Sequence, residues 1–356
     1  IELRQRLQET LISSQYLPKR IPAIVEAFDK HVFSKINLYQ QRKDLLEAVK
    51  ASGQRPEALG EYFTQLVKTV REEGFARPDK VHPLFKVLAQ GLCIQNLPAL
   101  IAKAAPAKQR ILESILYYCF MIGEFSYILT TLIDAENIAY VAANDHNCLA
   151  YSQGGVRGDD ILLVDFSLGM VIPLKLSQSY QRQGQYWLLK AGLKISADDV
   201  NYLKTAYFQI QGMIARQEAN LTAVFNLPGL TDEDKIRLAL NGPFEHLQIT
   251  GLKDLLATRW RNIGGIFDRL GMPQQKAEAD AKALSFNPQC AKTLYNIALA
   301  HHKASQEARE KGNFSTAREE LNTAIKYYQK SIASHPRLAH VYYNLGLAYS
   351  EAAQSN

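Results

Sequence analysis

Residues 145–169 read DHNCLAYSQGGVRGDDILLVDFSLG. Two apolar runs flank a stretch rich in turn formers, Gly154, Gly155, Gly158, Asp159 and Asp160. β-prone runs separated by such residues predict an antiparallel hairpin. His146 opens its first strand and Asp165 closes its second. Side chains alternate along a strand, so His146, Cys148 and Ala150 share one face, and Ile161, Leu163 and Asp165 share one face of the partner. With those faces aligned, His146 and Asp165 meet at the open end of the hairpin.

The surrounding chain gives the hairpin its setting. A helix from Gln109 to about Ile133 precedes it, then the β-prone run "NIAYVAA" (137–143), and "MVIPLKL" (170–176) follows it. This predicts a small α+β core over 109–180 in a chain that is otherwise mainly α. Residues 1–108 read as a helical N-terminal lobe. "IPAIVEAFDKHVF" (21–33), "RKDLLEAVKASG" (42–53) and "LGEYFTQLVKTVREEGF" (59–75) carry apolar residues at i, i+3, i+4 spacing. Residues 181–256 read as a helical linker region. It contains "GQYWLLKAGLKI" (184–195), "ADDVNYLKTAYFQIQGMIARQEAN" (197–220) and "TDEDKIRLALNG" (231–242), with "FEHLQIT" (244–250) as a short extended piece.

Composition narrows the function classes. Apolar residues make up 47% of 356 residues and mean hydropathy is −0.19, values of a globular protein with sizeable cores. The net charge of +6 is not gathered into Lys/Arg blocks, so no nucleic-acid partner is expected. The longest apolar run, Ile111 to Ile133, carries Glu113 and Glu124 and reads as a buried core helix, with no membrane span expected. No secretory signal is legible. Cys93, Cys119, Cys148 and Cys290 are scattered, with no C-x-x-C pair. That pattern suggests free thiols in a reducing, cytoplasmic setting, with no metal site and no cofactor.

The C-terminal stretch 257–356 repeats itself. "TRWRNIGGIFDRLG…AKALSFNP", "KTLYNIALAHHK…AIKYYQKSIASHP" and "HVYYNLGLAYSEAAQ" share one pattern. Trp260, Ile263, Gly264, Phe267, Ala283 and Pro288 resemble the tetratricopeptide repeat, and the resemblance implies an α-solenoid. That family's period is 34 residues. Pro288 and Pro336 lie 48 apart, so the second repeat carries an insertion around "KASQEAREKGNFSTA", read as longer helices or a longer turn. The third repeat supplies only its first helix, so a solenoid is expected to continue past Asn356. Gly264, Ala298 and Gly346 are the small residues expected where two helices cross. Asn262, Asn296 and Asn344 occupy one repeat position, which in that family faces the concave groove. An asparagine amide both donates and accepts, so a ladder of them pairs with a peptide backbone largely independently of its side chains.

The segment "CFMIGEFSYILTTLIDAENIAYVAANDHNCLAYS…DDILLVDFSLG" resembles the transglutaminase-like branch of the papain-like cysteine enzymes over about 60 residues. The resemblance implies a Cys nucleophile on the helix, with His146 and Asp165 completing a triad. A thiol needs a nearby imidazole to become a thiolate, and the imidazole needs a carboxylate to orient it. Cys119 is the candidate nucleophile, 27 residues before His146, and Cys93 in "AQGLCIQNLPALIAK" is another. The closest register places Ile122 rather than Cys119 at the nucleophile position, which describes a degenerate, inactive relative. Two functions follow. One is a cysteine amidohydrolase or acyltransferase whose repeats recruit protein substrates. The other is a pure adaptor on an inactive scaffold. Both expect a protein or extended-peptide partner on the repeats. No oligomeric state is assigned.

Overall fold

The computed structural model describes residues 2–53, 57–77, 80–92, 94, 97–143, 146–152, 159–190 and 244–354. The chain falls into two compact units, Ile1–Leu252 and Lys253–Asn356. It is mostly helical, with one curled antiparallel sheet of seven strands.

The first unit begins with helices, as the 3.6-residue periodicity predicts. They are α1 (Glu2–Ser13), α2 (Ile21–Phe28), α3 (Leu38–Ser52), α4 (Glu57–Glu72), α5 (Pro83–Gly91) and α6 (Leu97–Ala102). A helical rod, Pro106–Ile133, follows as α7 (Pro106–Glu113), a π-helical stretch (Ser114–Met121) and α8 (Ile122–Ile133). The rod is long and apolar enough to cross a bilayer, yet 75% of its most apolar window is buried inside the fold. Phe125 of α8 explains the burial: it stacks on Phe75 at 4.5 Å between ring centroids and packs against Phe28 and Phe85. These four rings are all nearly inaccessible to water, and each contributes on the order of 2–3 kcal/mol of burial.

The strands are β1 (Ile138–Ala142), β2 (Asn147–Tyr151), β3 (Asp160–Asp165), β4 (Met170–Lys175), β5 (Tyr180–Gln183), β6 (Tyr186–Leu189) and β7 (His246–Thr250). Their order in the sheet is β4-β3-β2-β1-β7-β6-β5. Both faces of β1, β2 and β3 are largely buried. Tyr151 of β2 points to the helices, where its ring meets Phe63 of α4 at 4.8 Å and its hydroxyl donates to Asp134. Its neighbours Cys148 and Ala150 point to the other face, a core shared with Leu163, Ile172, Leu174, Tyr180 and Leu247. A single four-residue helix, α9 (Leu176–Ser179), carries the chain from edge strand β4 to edge strand β5. Residues from both ends of the sheet thus line one interior, which is what curls it.

The helical reading of 181–256 fails at its N-terminal described end, where β5 and β6 lie. "GQYWLLKAGLKI" begins as strand β6 because Gly184, at φ +61°, turns the chain back on β5, and Trp187 and Leu188 then pair with β7. A four-residue apolar run carries no usable period, so pairing partners decide its conformation. "FEHLQIT" is extended, as β7. The helices read in 197–220 and 231–242 lie outside the described residues.

The second unit is a row of helices: α10 (Leu252–Leu270), α11 (Pro273–Phe286), α12 (Ala291–Glu310), α13 (Phe314–Ser334) and α14 (Ala339–Ala353). The insertion is taken up as helix. α12 and α13 have 20 and 21 residues against 14 in α11, and the turn between them is only Lys311–Asn313. Asn287 and His335 end α11 and α13 in extended conformation, the geometry imposed by the prolines that follow them. At Gly264 a Cβ would stand 3.0 Å from Asp280 Oδ1, 3.5 Å from the Ala279 Cβ and 3.6 Å from the Lys276 carbonyl oxygen, so α10 and α11 pack closely there. At Gly346 a Cβ would meet nothing within 4 Å. Opposite outcomes follow. Gly264→Val should cost about 1–3 kcal/mol through overpacking. Gly346→Ala should raise stability by up to about 1 kcal/mol through helix propensity alone. Urea unfolding of the full chain measures both.

Candidate functional site

The β1–β2 turn and the β3–β4 turn lie at the same end of the sheet, and the site is built there. The Ala143 amide donates to the His146 carbonyl, which folds β2 back on β1. β2 and β3 pair as Leu149↔Val164 and Ala150↔Leu163, the register that aligns the His146 and Asp165 faces. His146 Nε2 and Asp165 Oδ2 are hydrogen bonded. Asp165 is 2% exposed, so its charge depends on partners. Oδ1 accepts from the Ser167 amide at 3.0 Å, the Ser167 hydroxyl at 2.7 Å and the Leu168 amide at 2.9 Å. Above this turn lies Arg71 of α4, whose Nη1 donates to the Phe166 and Ser167 carbonyls at 2.9 and 2.7 Å.

The electrostatics follow from this geometry. Burial pushes the Asp165 carboxyl up. The His146 imidazole and the donors from Leu168 and Ser167 outweigh it, so the group titrates below the ordinary carboxylate range. The neighbouring Cys148 is fully buried beside that carboxylate, and both burial and Asp165 push its thiol well up. It is a core thiol held in the unreactive form. Burial lowers the Arg71 guanidinium, and Asp165 partly restores it. An ionised carboxylate only accepts, so the Nε2 proton of His146 points to Asp165, an arrangement that in a neutral imidazole puts the lone pair on Nδ1. The ring also meets Phe244 edge-on at 5.7 Å, and the Phe244 carbonyl accepts from Tyr180 Oη at 2.8 Å.

The structure brings His146 and Asp165 together. Cys119 lies in the π-helical stretch, in the middle of the rod rather than at a helix N-terminus. Its side chain falls outside the described residues, as does all of Cys93. Ile122, the first residue of α8, is buried. A Cβ on the adjacent Gly123 would lie 3.8 Å from the Asn147 Cβ, so Asn147 packs against that helix turn. Strand alternation sends its neighbours His146 and Cys148 toward the opposite face, where Phe244 and Tyr180 lie.

In the second unit, Asn262, Asn296 and Asn344 are all half-buried. Asn344 Nδ2 donates to Tyr295 Oη at 3.0 Å and to the His340 carbonyl at 2.9 Å, which ties α14 to α12. Asn262 and Asn296 form no side-chain hydrogen bond among the described residues.

Sequence reasoning missed Arg71, Ser167, Tyr180 and Phe244. Ser167 was findable, because Asp-x-Ser closing a strand is an Asx-turn signal. Arg71 stands 95 and 96 residues from the carbonyls it holds and has no local signature. Comparison with family models, curated proteins and solved structures gave no match to this chain.

The Asp165 contribution has a definite pH signature. A carboxyl with a depressed folded value stabilises the fold above its unfolded value and loses that contribution as pH falls through the folded one. Asp165→Asn should therefore cost on the order of 1–3 kcal/mol at pH 7. The gap to the wild type should close as pH falls below 3.8, the ordinary aspartate value. Denaturant unfolding from pH 7 down to pH 3 measures it, and a gap that widens in acid contradicts the assignment.

Proposed function

We propose that the chain is a protein-interaction protein whose C-terminal helices, built like tetratricopeptide repeats, bind an extended segment of a partner protein. The observation that carries this reading is the recurrence of asparagine at one position of successive hairpins. Two of these amides, Asn262 and Asn296, are half-buried on their helices and carry no hydrogen bond among the described residues. Such an amide offers a donor and an acceptor side by side, the pair a peptide unit presents. Asn344 differs, because its amide is engaged by Tyr295 and contributes to helix packing. The first unit serves in this reading as a transglutaminase-like scaffold without catalysis, supported by the direction of His146, away from the face that Asn147 turns to α8.

The test separates the two roles of asparagine. Asn262→Ala combined with Asn296→Ala should weaken a selected extended peptide by roughly tenfold or more, with two backbone-pairing amides lost. Asn344→Ala should chiefly lower stability. Titration calorimetry on the full chain reads affinity, and an unchanged value for the double variant refutes the groove.

A second reading, a cysteine amidohydrolase or acyltransferase, is favoured by the His146–Asp165 pair with its lone pair on Nδ1. There Cys119 would attack a carbonyl, His146 would act as base and then acid, and Asp165 would orient the ring. Thiol labelling decides between the readings. An activated Cys119 reacts rapidly with iodoacetamide at pH 6 and slows on His146→Ala, whereas the scaffold reading predicts slow labelling in both proteins.

A further inference from the structure

We propose that Arg71 is the positioning residue of the His146–Asp165 pair, clamping the β3–β4 turn so that Asp165 presents a fixed oxygen to His146 Nε2. The argument rests on which atoms share a peptide plane. Arg71 Nη1 donates to the carbonyls of Phe166 and Ser167. Those carbonyls belong to the same two peptide units whose opposite ends are the Ser167 and Leu168 amides. These amides are the donors to Asp165 Oδ1. Each unit is rigid and planar, so holding its C=O on one side aims its N–H on the other. A cation at the carbonyl ends also polarises both units and strengthens both N–H donors. With Oδ1 filled by these two amides and the Ser167 hydroxyl, Oδ2 is left to His146.

Two further observations fit this clamp. α4 is a firm base, because Phe63, Leu66, Val67 and Val70, all within the eight residues before Arg71, are buried. Gly169 lets the guanidinium lie along the turn. Its φ is +72°, and a Cβ there would stand 3.1 Å from Arg71 Nε and 3.2 Å from its Cζ. The helical lobe thereby reaches the β3–β4 turn through the Arg71 side chain. The clamp acts whether the pair is catalytic or structural, so it goes beyond both functional readings.

The test uses the full chain labelled with ¹⁵N-histidine and reads solvent exchange of the His146 Nε2 proton by NMR at neutral pH. Arg71→Met keeps the packing of the stem and removes the donors, and should speed this exchange roughly tenfold or more by freeing the turn. Arg71→Lys supplies a cationic donor for the two carbonyls and should restore slow exchange. Gly169→Ala approaches the clamp from the turn side and should speed exchange as well, which keeps the test decisive if Arg71→Met does not fold. An exchange rate equal to the wild type in either Arg71→Met or Gly169→Ala overturns the proposal. Absence of peptide binding or of thiol reactivity does not bear on it, since the readout needs neither.

Discussion

The end of the sheet is organised around one buried carboxylate. An ionised Asp165 with no partners would be costly in this interior, and the surrounding chain is arranged to prevent that. Three donors from the turn that follows it fill Oδ1, and an imidazole from the residue just before β2 meets Oδ2. The requirement fixes the β2–β3 register. A shift of one residue would send Asp165 to the opposite face of the sheet, away from His146. It also explains the state of Cys148. A thiol on the same face beside a retained negative charge stays protonated and inert.

How much of this was legible depended on whether the signal was local. The hairpin, its face alternation and the meeting of His146 with Asp165 follow from period-2 patterning and turn chemistry, both contained in 25 residues. The helical lobe was legible for the same reason, at period 3.6. The sheet's far half was not. β6 is four residues long, and its strand character comes from β5 and β7, the latter some 60 positions away. Arg71 was invisible because an exposed-looking arginine near the end of an amphipathic helix resembles many others. Only the fold brings it over the carbonyls of Phe166 and Ser167. Within the site, then, the pair was readable and its support was not.

The second unit makes the same point about repeated positions. Gly264 and Gly346 share a register, but only Gly264 has a helix crossing close enough to demand a missing side chain. Asn262, Asn296 and Asn344 likewise share a register, and Asn344 alone is consumed by an internal bond to Tyr295. Recurrence in sequence marks a shared location on the helix. What the residue does there depends on the neighbour it meets, and the insertion in the second repeat, absorbed as longer α12 and α13, changes those neighbours.

Amide hydrogen exchange of Ser167 and Leu168 tests the account most directly. If their N–H groups are bound to a buried, ionised Asp165, both should exchange as slowly as the amides of Leu149 and Leu163 inside the sheet, despite lying in a turn. Exchange of these two amides at the rate of an open loop would contradict it, because the carboxylate would then lack the donors on which the rest of the site depends.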